Sequence, residues 1–189
     1  SYAASQKFRA QVFPNDPYGR FTVAEDFDKL DRQTIIHQYK ASWASQKPVI
    51  FLSGKISEEQ IAYLDQILGH VPYNNNTLQV PPLSLASTPI KIREQKEGSV
   101  QSSIRFGLPA MARTHPDYFK FSFMNTVLGG YFGSRLQKNI REDKGFTYGI
   151  SSSLAPYPRG GYWVVGTDVN GKNVDATLAE IKKEIALLQ

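Results

Sequence analysis

The chain of 189 residues is 41% hydrophobic and 12% aromatic, enough apolar material for a packed core and too much for wholesale disorder. Its 22 Lys and Arg against 17 Asp and Glu leave a net charge of +5, short of what a dedicated nucleic-acid-binding face requires. It has no cysteine, which excludes disulfide scaffolds, thiolate zinc sites and cysteine nucleophiles, and it has no apolar run of about 18 residues that would span a membrane.

Residues 1–27 are aromatic, rich in turn formers and poorly periodic, and read as an N-terminal extension. They lack the basic-then-apolar layout of a signal peptide. Asn15, Asp16, Pro17 and Gly19 mark a turn. From Phe27 to Ala44 the apolar positions Phe27, Leu30, Ile35, Tyr39 and Trp43 fall at helical spacing. Pro48 to Gly54 (PVIFLSG) is a short run of β-formers and predicts a buried strand. Ser57 with Gln60 three residues on opens a second helix, whose apolar face is Ile61, Leu64, Ile67 and Leu68, and Gly69 stops it.

Residues 71–86 carry three consecutive asparagines and read as an internal loop. The glycosylation triplet Asn75-Asn76-Thr77 inside it is short enough to arise by chance. TPIKIREQK and SVQSSIRFGLPA both alternate apolar with polar residues, and Gly98 between them predicts a hairpin. His115-Pro116-Asp117 opens a helix through Leu128, Gly129 and Gly130 interrupt it, and a further helix runs from Phe132 to Lys144. GFTYGISSS and GGYWVVGTDV read as two more strands. The last helix, Val174 to Gln189, places Val174, Leu178, Ile181, Ile185 and Leu188 on one face. Paired strands separated by helices argue an α+β fold: a largely antiparallel sheet covered by helices. The order fits one domain over residues 1–189, and a final helix without a C-cap glycine or tail suggests a piece of a longer chain.

Much familiar catalytic chemistry is missing. None of the three histidines, His37, His70 and His115, has another His three or four residues away, so no helical zinc pair forms. No G-x-S-x-G nucleophile elbow occurs. LGGYFGSRL is neither a P-loop nor a dinucleotide fingerprint, and its glycines read as a tight corner between two helices. Arg135, Lys138, Arg141 and Lys144 recur every three residues as a basic stripe, read as a solvated helix face.

Gly145 suits a helix C′ position, because glycine accepts the left-handed conformation that reverses the chain. The next segment is extended, and strict alternation sets Phe146, Tyr148 and Ile150 on one face. The reversal brings Arg141 and Tyr148 near each other at the rim of the sheet, where guanidinium and phenol can donate to a peptide carbonyl or an oxyanion. From spacing alone, an arginine paired with Glu142 or Asp143 beside a core tyrosine is as good a reading.

LGGYFGSRLQKNIREDKGFTYGI resembles the signature of the second, non-catalytic domain of the pitrilysin/insulinase family of zinc metallopeptidases, which includes mitochondrial processing peptidase. PYGR, PVIFLSGKIS, RFGLPA with HPDYF, and the closing helix follow in the order the family shows. The resemblance implies a clamshell of two α+β halves around a peptide. One half carries H-x-x-E-H and zinc; the other supplies an Arg and a Tyr that reach the substrate. Those positions match Arg141 and Tyr148, seven residues apart. This chain has no H-x-x-E-H, so the resemblance makes it the zinc-free half: no catalytic residue or metal of its own, inactive alone, with zinc expected in an H-x-x-E-H partner. Two other readings stay open: a non-enzymatic scaffold subunit of the same fold, and a free-standing peptide-binding module. A bacterial periplasmic or cell-envelope setting is compatible with the composition, which does not fix the compartment.

Overall fold

The computed structural model describes residues 2–42, 47–71 and 82–188. The chain divides into two compact units, Ser1–Phe21 with Pro82–Gln189, and Thr22–Pro81. Trp43 of the first expected helix, the Asn75–Thr77 triplet and most of the 71–86 loop lie outside the described residues.

In the first unit, α1 (Tyr2–Val12) precedes a turn, and β1 (Gln101–Ala110), α5 (Tyr118–Asn125), β2 (Thr147–Tyr157), β3 (Gly160–Asn170) and α6 (Val174–Ala186) follow. The three strands form an antiparallel sheet in the order β1-β3-β2. β3 pairs with β1 from Gln101↔Asn170 to Ala110↔Gly161, and with β2 from Ile150↔Thr167 to Tyr157↔Gly160. Alternation along β3 turns Trp163, Val165, Thr167 and Val169 into the interior. Leu128, Leu136, Ile140 and Ile181 from the helical segments meet Trp163, Val165 and Ile150 from the sheet as the core. Burying each such side chain contributes about 1.5–3 kcal/mol.

A polar knot fastens the sheet to the helices. Trp163 Nε1–H donates to Asn125 Oδ1 at 2.7 Å, and Asn125 Nδ2 donates to the Ser152 carbonyl at 3.2 Å. Gly129 makes this closeness achievable: a Cβ there would lie 2.7 Å from the Ser152 backbone nitrogen.

α1 differs from the expected N-terminal extension. It packs on β1, and the rings of Phe8 and Tyr162 meet edge to face at 5.5 Å. The turn at PNDPYGR follows it, with Asn15 at φ 60. Buried Phe13 sits among Tyr18, Tyr157 and Tyr162, so the aromatic residues of this segment pack against the sheet. Asp16, its side chain 2% exposed, ion-pairs with Arg159 from the β2–β3 turn at 3.1 Å. Burial pushes its carboxyl up, but the Tyr18 N–H and the Arg159 guanidinium hold it below its ordinary value.

Two strand expectations fail. Gly98 does sit in a turn at φ 73, yet residues 88–96 form no ladder with β1, whose ordered partner is β3. Pro48 to Gly54, in the second unit, is neither buried nor paired; Phe51 is 90% exposed. Valine, isoleucine and phenylalanine favour a strand only where a neighbouring strand supplies the pleated surface they pack on, and composition alone does not supply it.

The second unit holds α2 (Ala24–Phe27), α3 (Arg32–Ala41) and α4 (Glu58–Leu68). The single helix expected from Phe27 to Ala44 is broken, because Asp31 caps a new start by accepting from the Thr34 N–H at 2.7 Å. Ser57 and Gln60 form the expected capping box of α4.

Asn125→Ala would leave the Trp163 N–H and the Ser152 carbonyl unpaired in the core, and is expected to lower unfolding free energy in urea by about 1–3 kcal/mol for each. Asp16→Ala is expected to destabilise at pH 7 by a similar amount, about 1–3 kcal/mol. Because the folded carboxyl titrates below its unfolded value, its contribution is complete above the ordinary carboxylate range and disappears as pH falls through the folded value. The gap between wild type and Asp16→Ala should therefore close in unfolding curves taken at progressively lower pH.

Candidate functional site

The segment between α5 and β2 builds the site. α5 continues into a wide π-helical turn, Thr126–Gly130, which ends when Tyr131 turns extended at φ -148 and ψ 171. Ser134 N–H bonds back to the Tyr131 carbonyl at 3.1 Å and closes a tight corner. Gly133 keeps that corner compact, since a Cβ would lie 2.9 Å from the Tyr131 ring. The helix then resumes, and Gln137–Asp143 is again π-helical.

The basic stripe on this helix is not a uniformly solvated face. Arg135 Nε donates to Glu184 of α6 at 2.9 Å, and Lys144 lies 3.3 Å from Glu180. Asn139 donates to both carboxylates, at 2.9 and 2.7 Å. Its bond to Glu180 is the main reason that carboxyl sits below its ordinary value; burial opposes the shift and Lys144 assists it. Arg141 takes another course. Gly145, at φ 61, reverses the chain, and the Phe146 N–H bonds to the Ile140 carbonyl at 3.0 Å. Arg141 Nε then donates to the backbone carbonyl of Tyr148 at 3.0 Å. Its Nη1 lies 3.8 Å from Glu142, and its guanidinium carbon sits 4.3 Å from the centroid of the Phe132 ring.

The face assigned to Tyr148 by strict alternation is corrected by a β-bulge. Between the pairs Thr147↔Val169 and Ile150↔Thr167, Tyr148 and Gly149 together oppose Asp168 alone. A bulge of this kind breaks the period of two and re-aims a side chain. Thr147 and Ile150 consequently point inward, while Tyr148 is 93% exposed and shares no buried face with Phe146 and Ile150. Two threonines hold the bulge. The Thr147 hydroxyl lies 2.8 Å from the Asp168 carbonyl and accepts from the Gly149 N–H at 3.2 Å. The Thr167 hydroxyl donates to the Gly149 carbonyl at 2.9 Å. Beside the bulge, the outer sheet face forms a shallow groove of about 300 Å³ lined by Arg105, Ser151, Ser153, Gly166 and Asp168.

So Arg141 and Tyr148 do come together, through guanidinium and backbone rather than guanidinium and phenol. Tyr148 lies on the bulge, and the Arg141 side chain is about one-third exposed. Both groups face solvent at the rim, beside a polar surface. The sequence does not mark Phe132, because its motif reads only as a corner. The threonine pair leaves no local signal in the sequence because it forms between β2 and β3. Among the described residues, no cluster of three or more His, Cys, Asp or Glu side chains is arranged to hold a metal ion. No helix among them is long and apolar enough to cross a membrane.

Residues 29–189 match the model of the peptidase M16 inactive domain. The chain belongs to that family. Over 158 residues it is 26% identical to a protein named uncharacterized zinc protease YmxG from Bacillus subtilis, and the match covers 79% of this chain and 37% of that protein. It is 25% identical over 153 residues to a protein named non-peptidase homolog YmxG from Helicobacter pylori, covering 79% and 35%. The crystal structure of a peptidase M16 inactive domain from Pseudomonas fluorescens superposes over 97% of this chain and 45% of that one, with a TM-score of 0.79 at 24% identity, a likeness of fold. The chain thus spans about a third of the length of these two relatives. As an M16 inactive domain it has the α+β architecture expected, a three-stranded antiparallel sheet with helices packed on it.

Gly145→Ala forces a side chain into the left-handed region and is expected to destabilise the domain by about 1–2 kcal/mol. At Gly149 a Cβ meets nothing within 4 Å, so Gly149→Ala is expected to cost less than about 0.5 kcal/mol. Urea unfolding of the two variants side by side checks the contrast; equal curves would remove the left-handed turn from the account.

Proposed function

We propose that this chain is the zinc-free, substrate-binding half of an M16 metallopeptidase, acting with an H-x-x-E-H half that is either fused to it or a separate subunit. The observation that carries the reading is the bulged start of β2. It sets Tyr148 outward and draws Arg141 to the same rim, inside the stretch that matches the M16 inactive domain. On this reading residues 1–189 act as one half, and the zinc belongs to the other. There zinc would polarise the scissile carbonyl and lower the pKa of its water. From this side, the outward N–H groups of Arg141 and the phenol of Tyr148 donate to a peptide carbonyl as negative charge develops on it. The bond from Arg141 Nε to the Tyr148 backbone carbonyl orients the guanidinium before substrate arrives, which makes such a donor effective.

A second reading is a non-enzymatic scaffold or peptide-binding subunit of the same fold. It is favoured by the relative named as a non-peptidase homolog. The presence or absence of H-x-x-E-H in the rest of the parent protein or in its partner separates the two.

In the parent assembly, Arg141→Ala or Tyr148→Phe is expected to lower kcat/KM for peptide hydrolysis about 100-fold, the scale seen when one oxyanion donor is removed. Zinc content, measured by elemental analysis, should not change. Undiminished turnover in both variants would remove these residues from the mechanism. The isolated chain is expected to hydrolyse no peptide and to retain no zinc after dialysis.

A further inference from the structure

The corner Gly129–Ser134 presents a large aromatic side chain to solvent at the point where the core is closest. Phe132 is 65% exposed, and it is outside the core cluster. An exposed phenylalanine alone is ordinary. This one lies under a guanidinium, with the Arg141 ζ carbon 4.3 Å from its ring centroid. Three glycines and an extended Tyr131 shape the corner that puts it there. Arg135 and Lys144, on the same helix, are held by Glu184 and Glu180 of α6. Among the described residues Arg141 meets no such buried carboxylate; half-exposed Glu142 lies 3.8 Å from it.

We infer that Phe132 is a positioning residue for Arg141: its ring face, 4.3 Å from the guanidinium carbon, steadies the cation at the rim. The inference rests on the function proposed above. An aromatic face attracts a guanidinium through its negative quadrupole and restricts it to a stacked orientation. The Nε edge is then spent on the Tyr148 carbonyl. Nη2 has no partner among the described residues and is left for a carbonyl oxygen of a bound peptide. A carboxylate in Phe132's place would neutralise the charge that the transition state needs. An aromatic ring orients the cation and leaves its charge intact.

The test is steady-state peptide hydrolysis by the parent assembly carrying Phe132→Leu, Phe132→Tyr, Arg141→Ala, and Phe132→Leu with Arg141→Ala. Phe132→Leu keeps apolar bulk and removes the ring face; kcat is expected to fall about three- to fivefold with KM nearly unchanged, the scale of a partly exposed cation–π contact. Phe132→Tyr keeps the face and should retain full kcat. In the Arg141→Ala background, Phe132→Leu should have no further effect, because its role runs through that guanidinium. An equal loss in both backgrounds, or no loss from Phe132→Leu while Arg141→Ala is impaired, overturns the inference and leaves the proposed function standing. An assembly without turnover, or one that Arg141→Ala leaves fully active, overturns the proposed function and the inference with it.

Discussion

The site depends on a conflict of periods resolved at the start of β2. A helix ends, the chain reverses through a left-handed glycine, and a strand begins whose inward face is already claimed by the core. Inserting one residue opposite Asp168 satisfies both demands: Ile150 stays inside and Tyr148 goes out. The threonines on either strand cover the backbone groups that the bulge removes from the ladder, which makes the irregular backbone tolerable beside a dry core.

The helix preceding the reversal divides its charges by direction. One side meets two glutamates of α6, and there arginine, lysine and asparagine act as clamps between helices. Such pairs, half-buried and shared among several donors, orient the helix more than they stabilise it. The other side carries Arg141 toward β2. The same basic run thus anchors the scaffold and equips its rim, and α6 determines which cation does which.

Several of these features are legible from residues alone. The capping box at Ser57, the closing helix from Val174 and the two strands β2 and β3 follow from local chemistry that the tertiary structure leaves in place. The glycine reversal was legible for the same reason. What was not legible depends on partners distant in sequence. The bulge needs Thr167, twenty residues from Thr147. The docking of α1 needs Phe8 to find Tyr162, across most of the chain. The strand expected at Pro48 to Gly54 fails in the opposite sense, with strong local preference and no pairing neighbour among the described residues. At the site, the motif drew attention to Arg141 and Tyr148, while the ring of Phe132 became visible only when the corner was seen in three dimensions.

Ile140 and Ile150 are both completely enclosed, one at the end of the helix and one just beyond the bulge. Nine residues lie between them, and Glu142 to Gly145 are exposed. Arg141 follows the first anchor directly, and Tyr148 precedes the second by two positions, so each inherits its heading from a neighbour that cannot turn. A residue added or deleted outside the exposed stretch Glu142–Gly145 rotates a functional group away from the rim or an anchor out of the interior. The spacing between two enclosed side chains therefore constrains the length of this stretch as well as its identity.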